Sequence, residues 1–230
     1  MTPPEDRRPV VRDSLGVGVA TGLYGSSFGA ISVASGLDVL QTCALSLLMF
    51  TGASQFALVG VLGAGGSAVS AAATAALLGT RNTLYGLRLA PTLGWRGRRR
   101  VAAAHLVIDE STAMAVTRET PTLARTGFLV TGVSVFVLWN LFTLLGALGG
   151  SVIGDPRTYG LDAAVGGAFL ALLWPRLADR SARTLALAAA AVALLVVPLA
   201  PSGVPVLAAG GVALLVGVAP RRAAPDRELA

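Results

Sequence analysis

The sequence predicts an all-α fold: a polytopic α-helical membrane protein with about six spans plus a discontinuous or re-entrant helix pair. Three observations predict it. Of the 230 residues, 54% are hydrophobic and only 13% charged, about half the charge expected of a water-facing domain. The apolar residues form long runs that are apolar on every side, whereas barrel strands alternate apolar with polar. The remaining charges gather in short arginine-rich loops between the runs, as membrane orientation requires.

The elements follow in order. The segment 1–13 is expected as a cytoplasmic tail, 14–219 as the membrane domain and 220–230 as a second cytoplasmic tail. Six runs have the length or near-length of a span: Leu15 to Ser35, Ser67 to Ala90, Thr126 to Leu148, Leu161 to Trp174, Ala182 to Ala200 and Val204 to Val218, against a need for about 20 residues. The first lacks a convincing cleavage site and is expected to be retained. Asp38 precedes an apolar run and reads as a helix N-cap. The run it opens, Val39 to Gly63, is interrupted by Thr51-Gly52-Ala53-Ser54-Gln55, so each half is too short to span alone. A broken backbone in hydrocarbon must find its partners in protein or in a water-lined cavity.

Charge placement favours the re-entrant form. Arg7, Arg8 and Arg12, then Arg96, Arg98, Arg99 and Arg100, then Arg176, Arg180 and Arg183, then Arg221, Arg222 and Arg227 form the basic clusters. Cytoplasmic placement of all of them requires an even number of crossings between clusters. That holds if 39–63 turns back. Val101 to Thr117, with Asp109 and Glu110 in its middle, is either a cytoplasmic surface helix or a second half-inserted element.

Composition also excludes. The 18 basic residues are all arginine and form no stripe interleaved with aromatics, so no nucleic-acid partner is expected despite the net charge of +6. Cys43 is the lone cysteine and His105 the lone histidine. No internal disulfide, metal site or cofactor is predicted.

The motif T-G-A-S-Q-F, Thr51 to Phe56, brings Gly52 and Ala53 for close backbone approach and Ser54 and Gln55 as donors and acceptors. An unwound helix at mid-membrane presents free N–H and C=O groups suited to the carboxylate and ammonium of an amino acid. Helix packing glued by Gln55 explains the same residues. In T-R-N-T-L-Y-G, Thr80 to Gly86, Arg81 lies within an apolar run and must face a cavity, a carboxylate or a helix end, with Asn82 beside it. In I-D-E-S-T, Asp109 and Glu110 are candidates to carry a proton or meet an ammonium, and a single helix would put His105 and Asp109 on one face. Asn140, deep in the third run, reads as interhelical glue.

The order and spacing of G-A-S-Q-F (Gly52 to Phe56), R-N-T-L-Y-G (Arg81 to Gly86), D-E (Asp109, Glu110) and Y-G-L-D-A-A (Tyr159 to Ala164) resemble the AzlC/YgaZ family, the large subunits of branched-chain amino-acid exporters. The resemblance implies a bacterial inner-membrane carrier of valine, leucine, isoleucine and in some members methionine. It also implies proton-coupled export and a small hydrophobic membrane subunit of the AzlD/YgaH type as partner. Gly52, Ala53, Ser54, Gln55 and Phe56 would then cradle the amino-acid substrate, and Arg81 and Asn82 would approach its carboxylate or lock the broken helix. Phe28 and Phe50 would join Phe56 against its side chain. Asp109 or Glu110 would couple the proton, and Asp162 would sit at the outer mouth. Some relatives carry an acidic residue just before the motif arginine, where this chain has Thr80. Two rival readings are an intramembrane serine hydrolase, built on Ser54 and His105, and a non-transporting scaffold. Gln55 stands where the hydrolase motif would place its second glycine.

Overall fold

A computed structural model describes residues 6–153, 170 and 173–218. The described residues are helical with no strand. Helix α1 spans Arg8–Ala34, α2 Val39–Leu48, α3 Ala53–Gly63, α4 Ala68–Leu93, α5 Gly97–His105, α6 Asp109–Val116 and α7 Pro121–Ile153. A 3-10 turn, Trp174–Ala178, precedes α8, Arg180–Val196, and α9, Val204–Val218. Among these, Arg8–Ala34 and Pro121–Val152 have the length and apolarity of a membrane span. α4 has 26 residues but carries Arg81 and Arg88 within its length. Most of the predicted run from Leu161 to Trp174, the Tyr159 to Ala164 motif, Asp162 and the 220–230 tail lie outside the described residues.

Helices α1 and α7 form the spine. They pack in parallel along their length: a methyl added at Gly25 would meet the Trp139 carbonyl oxygen at 2.6 Å, and Gly29 and Gly146 abut the backbones of Thr143 and Ser26. Such approach leaves no room for a Cβ, and small residues at these positions let the backbones touch. Gly146→Val is therefore expected to lower unfolding stability by about 3 kcal/mol, the upper end for overpacking. The thermal midpoint of the detergent-purified protein checks this.

The chain between the two spine helices folds into two hairpins entering from opposite ends. Asp38 starts α2 with a capping box: its Oδ1 accepts from Gln41 N–H at 2.7 Å, and Gln41 Oε1 accepts from Asp38 N–H at 3.0 Å. α2 runs back along α1, with Thr42 hydrogen-bonded to Ser32 at 2.8 Å. The chain breaks at Met49 to Gly52, and α3 returns to the end where α2 began, so that Gly63 lies against Ser35. The interruption read in the sequence is thus a hairpin whose two mouths share one end of the bundle.

α4 then runs antiparallel to α1. It ends on left-handed Gly94, at φ 64°, and Arg125 Nε near the start of α7 donates to the Leu93 carbonyl at 2.8 Å. That bond satisfies one of the carbonyls every helix end leaves open. α5 climbs from this end, and His105 reaches the Leu47 carbonyl at the tip of the first hairpin, 3.0 Å away. α6 descends, bringing Met114 against Gly127 and Arg118 to 3.7 Å from Asp13. Val101 to Thr117 is therefore a second broken hairpin, not one surface helix. The break also corrects the expectation that His105 and Asp109 share a helix face, because Leu106 to Ile108 separate them.

The two halves match. α1, α2 and α3 have 27, 10 and 11 residues, and α4, α5 and α6 have 26, 9 and 8. With α4 antiparallel to α1, this is an inverted repeat. α9 lies along α4, Gly210 on Leu77, and Ser202 caps the α3 carbonyl of Ala64 at 2.8 Å. Because the end of α8 sits near Val61, its start falls at the opposite end. The arginines near residues 7–12, 96–100 and 180–183 consequently share one end of the bundle, and the fourth cluster, Arg221, Arg222 and Arg227, lies outside the described residues.

Candidate functional site

The tips of the two hairpins meet halfway along the bundle, and each tip is the start of a half-helix. Gly52 heads α3 at φ 60°, ψ −93°, where a side chain is strained, and its N–H donates to Gln55 Oε1 at 3.0 Å. Ile108 heads α6, and its N–H donates to Ser111 Oγ at 3.1 Å. The same device, a cap closed by the side chain three residues on, is used twice. Each start carries partial positive charge and unpaired N–H groups.

Between the tips lies a cavity of about 60 Å³, lined on its polar side by Thr51, Gly52, Ala53, Arg81, Asp109 and Glu110. Arg81 leaves the middle of α4 to meet Asp109, Nη1 to Oδ2 at 2.9 Å. The pair is partly exposed, with side chains at 29% and 36%. Arg81 Nε and Asp109 Oδ1 are buried without a hydrogen-bond partner. Glu110 stands beside Asp109, near Thr21 of α1. The other wall is aromatic. Tyr24, Phe50, Phe56 and Trp139 line it, with Tyr24 and Phe56 centroids 5.2 Å apart and Phe56 and Trp139 centroids 6.3 Å apart. Tyr24 Oη and Trp139 Nε1 are also buried and unpartnered. Phe28 packs behind, on Phe56 at 5.5 Å.

The geometry divides the expected residues into groups. Gly52, Ala53, Phe56, Arg81, Asp109 and Glu110 converge on the cavity, and Phe50 joins them. Ser54 and Gln55 are buried just behind the tip: Gln55 serves as the cap, and Ser54 Oγ faces α4 at Gly79. Asn82 turns instead toward a neighbouring groove of about 370 Å³ between α4 and α5, with Gly86, Trp95, Arg100 and Val107. Asp162 lies outside the described residues. Sequence reading missed Tyr24 and Trp139, because isolated aromatics in apolar runs carry no local signal of a site. Asn140 is not interhelical glue through its amide nitrogen, which donates to Phe136 O of its own helix at 2.8 Å. Ser54 and His105 do not form a nucleophile and base pair: Ser54 Oγ is unpartnered, and the imidazole is committed to Leu47.

Chemically, the site offers a guanidinium and a half-helix start for a carboxylate, two carboxylates for an ammonium, and an aromatic wall for an apolar side chain. The family model described as AzlC protein matches residues 16–153, the stretch that contains both hairpins. No curated protein and no solved structure matches.

Proposed function

This chain belongs to the AzlC family, and from that premise we propose that it exports branched-chain and other neutral apolar amino acids across the bacterial inner membrane. The family is a transporter family associated with branched-chain amino-acid transport, and it works with a small membrane subunit. The finer reading takes valine, leucine, isoleucine and methionine as substrates, proton-coupled efflux, both termini cytoplasmic, and an AzlD/YgaH-type partner. The observation that carries it is the Arg81–Asp109 pair set beside Glu110 and an aromatic wall, between two opposed half-helix starts.

In this reading the substrate carboxylate meets Arg81 and the N–H groups at Ala53 and Ser54. Its ammonium competes with Arg81 for Asp109, and Glu110 takes or releases the proton. A space of about 60 Å³ holds a few water molecules, so a leucine is admitted only when one hairpin tip withdraws. With the hairpins facing opposite ends, withdrawing one while the other stays closed gives alternating access. One methylene changes binding by only about 1–3 kcal/mol, so selectivity among valine, leucine and isoleucine is shallow.

The test is efflux of radiolabelled leucine from proteoliposomes holding this chain with its small subunit. Efflux well above that from either protein alone is expected. Efflux no faster than from protein-free liposomes would overturn the proposal.

A further inference from the structure

The two hairpin tips also touch on their outer side, and there the hydrogen bonding is incomplete. α2 and α5 meet end to end, with His105 Nε2 3.0 Å from the Leu47 carbonyl oxygen. A carbonyl only accepts, so Nε2 donates in this contact, and Nδ1 is left for a further hydrogen-bond partner. The ring packs between Phe50 at 6.1 Å and Phe136 at 5.5 Å. Phe136 lies near the middle of α7, which sets this junction at mid-depth of the spine. Nevertheless the junction is open to the outside. His105 is exposed, and Leu48, Val101 and Val137 are 81%, 74% and 55% exposed. Within α5 Ala103 is buried, while Val101, Ala102, Ala104 and His105 are exposed.

Hydrocarbon cannot cover such a surface. Helix ends leave carbonyls without intrahelical partners, and broken backbone at membrane depth is tolerated only against protein or water. An imidazole on a lipid face is unfavourable for the same reason. The flank of α4 beyond α3 is already covered by α9, so among the described residues the break left uncovered lies on the α2–α5 side.

We infer that this face, the joined ends of α2 and α5 with the adjacent middle of α7, is where the small membrane subunit packs. The subunit brings a transmembrane helix with a hydrogen-bonding group level with His105 and apolar surface over Leu48 and Val101. The inference rests on the transporter reading only for the existence of that subunit.

The experiment places a photoreactive benzoylphenylalanine at Leu48, Val101 or, as a control beyond α4, Leu187, in cells expressing an epitope-tagged small subunit. Adducts with the tagged subunit from Leu48 and Val101, and none from Leu187, are expected. His105→Leu should reduce co-purification of the subunit about three- to fifteen-fold, the worth of one hydrogen bond between membrane helices. Adducts to a second copy of this chain, to its own residues 154–169 or to lipid alone would overturn the inference, as would capture only from Leu187. Leucine efflux is read on the same variants. Adducts without efflux leave the interface standing and count against the transport reading, and efflux without adducts does the reverse.

Discussion

Arg81→Gln is expected to reduce leucine efflux by at least about 100-fold, and the reason separates binding from folding. Removing one partner of a buried ion pair strands the other, at about 3–5 kcal/mol for a fully buried pair. Here the side chains are 29% and 36% exposed, so a stability loss of about 3 kcal/mol or less is expected from Arg81→Gln or Asp109→Asn alone. The double variant Arg81→Gln/Asp109→Asn strands no charge and should regain most of that stability, a coupling that a double-mutant cycle measures. It should not regain efflux, because the substrate carboxylate has lost its guanidinium and the ammonium its carboxylate. Exchanging the two residues, Arg81→Asp with Asp109→Arg, should likewise restore the pair without restoring transport. A double neutral variant that exports leucine at the wild-type rate would reduce the pair to a structural tie.

Gly52→Ala is the second large effect, and its cause lies in the backbone. A methyl at Gly52 meets nothing within 4 Å, so there is no steric clash with a neighbour. The strain comes from φ 60° with ψ −93°, which a residue with a Cβ adopts at a cost of about 1–3 kcal/mol. Relief by rotation would swing the Gly52 N–H away from Gln55 Oε1 and redirect the first N–H groups of α3 away from the cavity. Efflux should therefore be lost while the protein still accumulates in the membrane. Gly36→Ala makes the control. Gly36 sits at φ 96° in the turn before α2, also with nothing within 4 Å of an added methyl. It should show a similar stability loss with efflux retained.

The legibility of the fold in the sequence followed the chemistry of each break. The first hairpin could be read because Gly52, Ser54 and Gln55 interrupt an apolar run, and Asp38 announces the restart. The second stayed open between a surface helix and a half-inserted element, because its tip is Leu106-Val107-Ile108, apolar residues that fit an uninterrupted helix equally well. The break there is held by a local cap, Ser111 Oγ bonded to Ile108 N–H and to the Leu106 carbonyl at 2.6 Å, and by the tertiary packing of Leu106 on Gly132. Arg81 was legible as a charge needing a partner, and Asp109 as a carboxylate needing a role. Their pairing depends on α6 descending beside α4, which no local pattern encodes. The aromatic wall needed the fold as well, since Tyr24, Phe56 and Trp139 come from three different helices.

A substrate site between the hairpin tips can be probed directly. With Cys43→Ala as background, Ala53→Cys places a thiol on the cavity wall, and its modification rate by a small maleimide in membrane vesicles reports access to that space. Leucine should slow the reaction in a saturable manner, with isoleucine and valine close behind and a charged amino acid such as aspartate without effect. A rate unchanged at leucine concentrations that saturate efflux would place the substrate elsewhere and contradict the account.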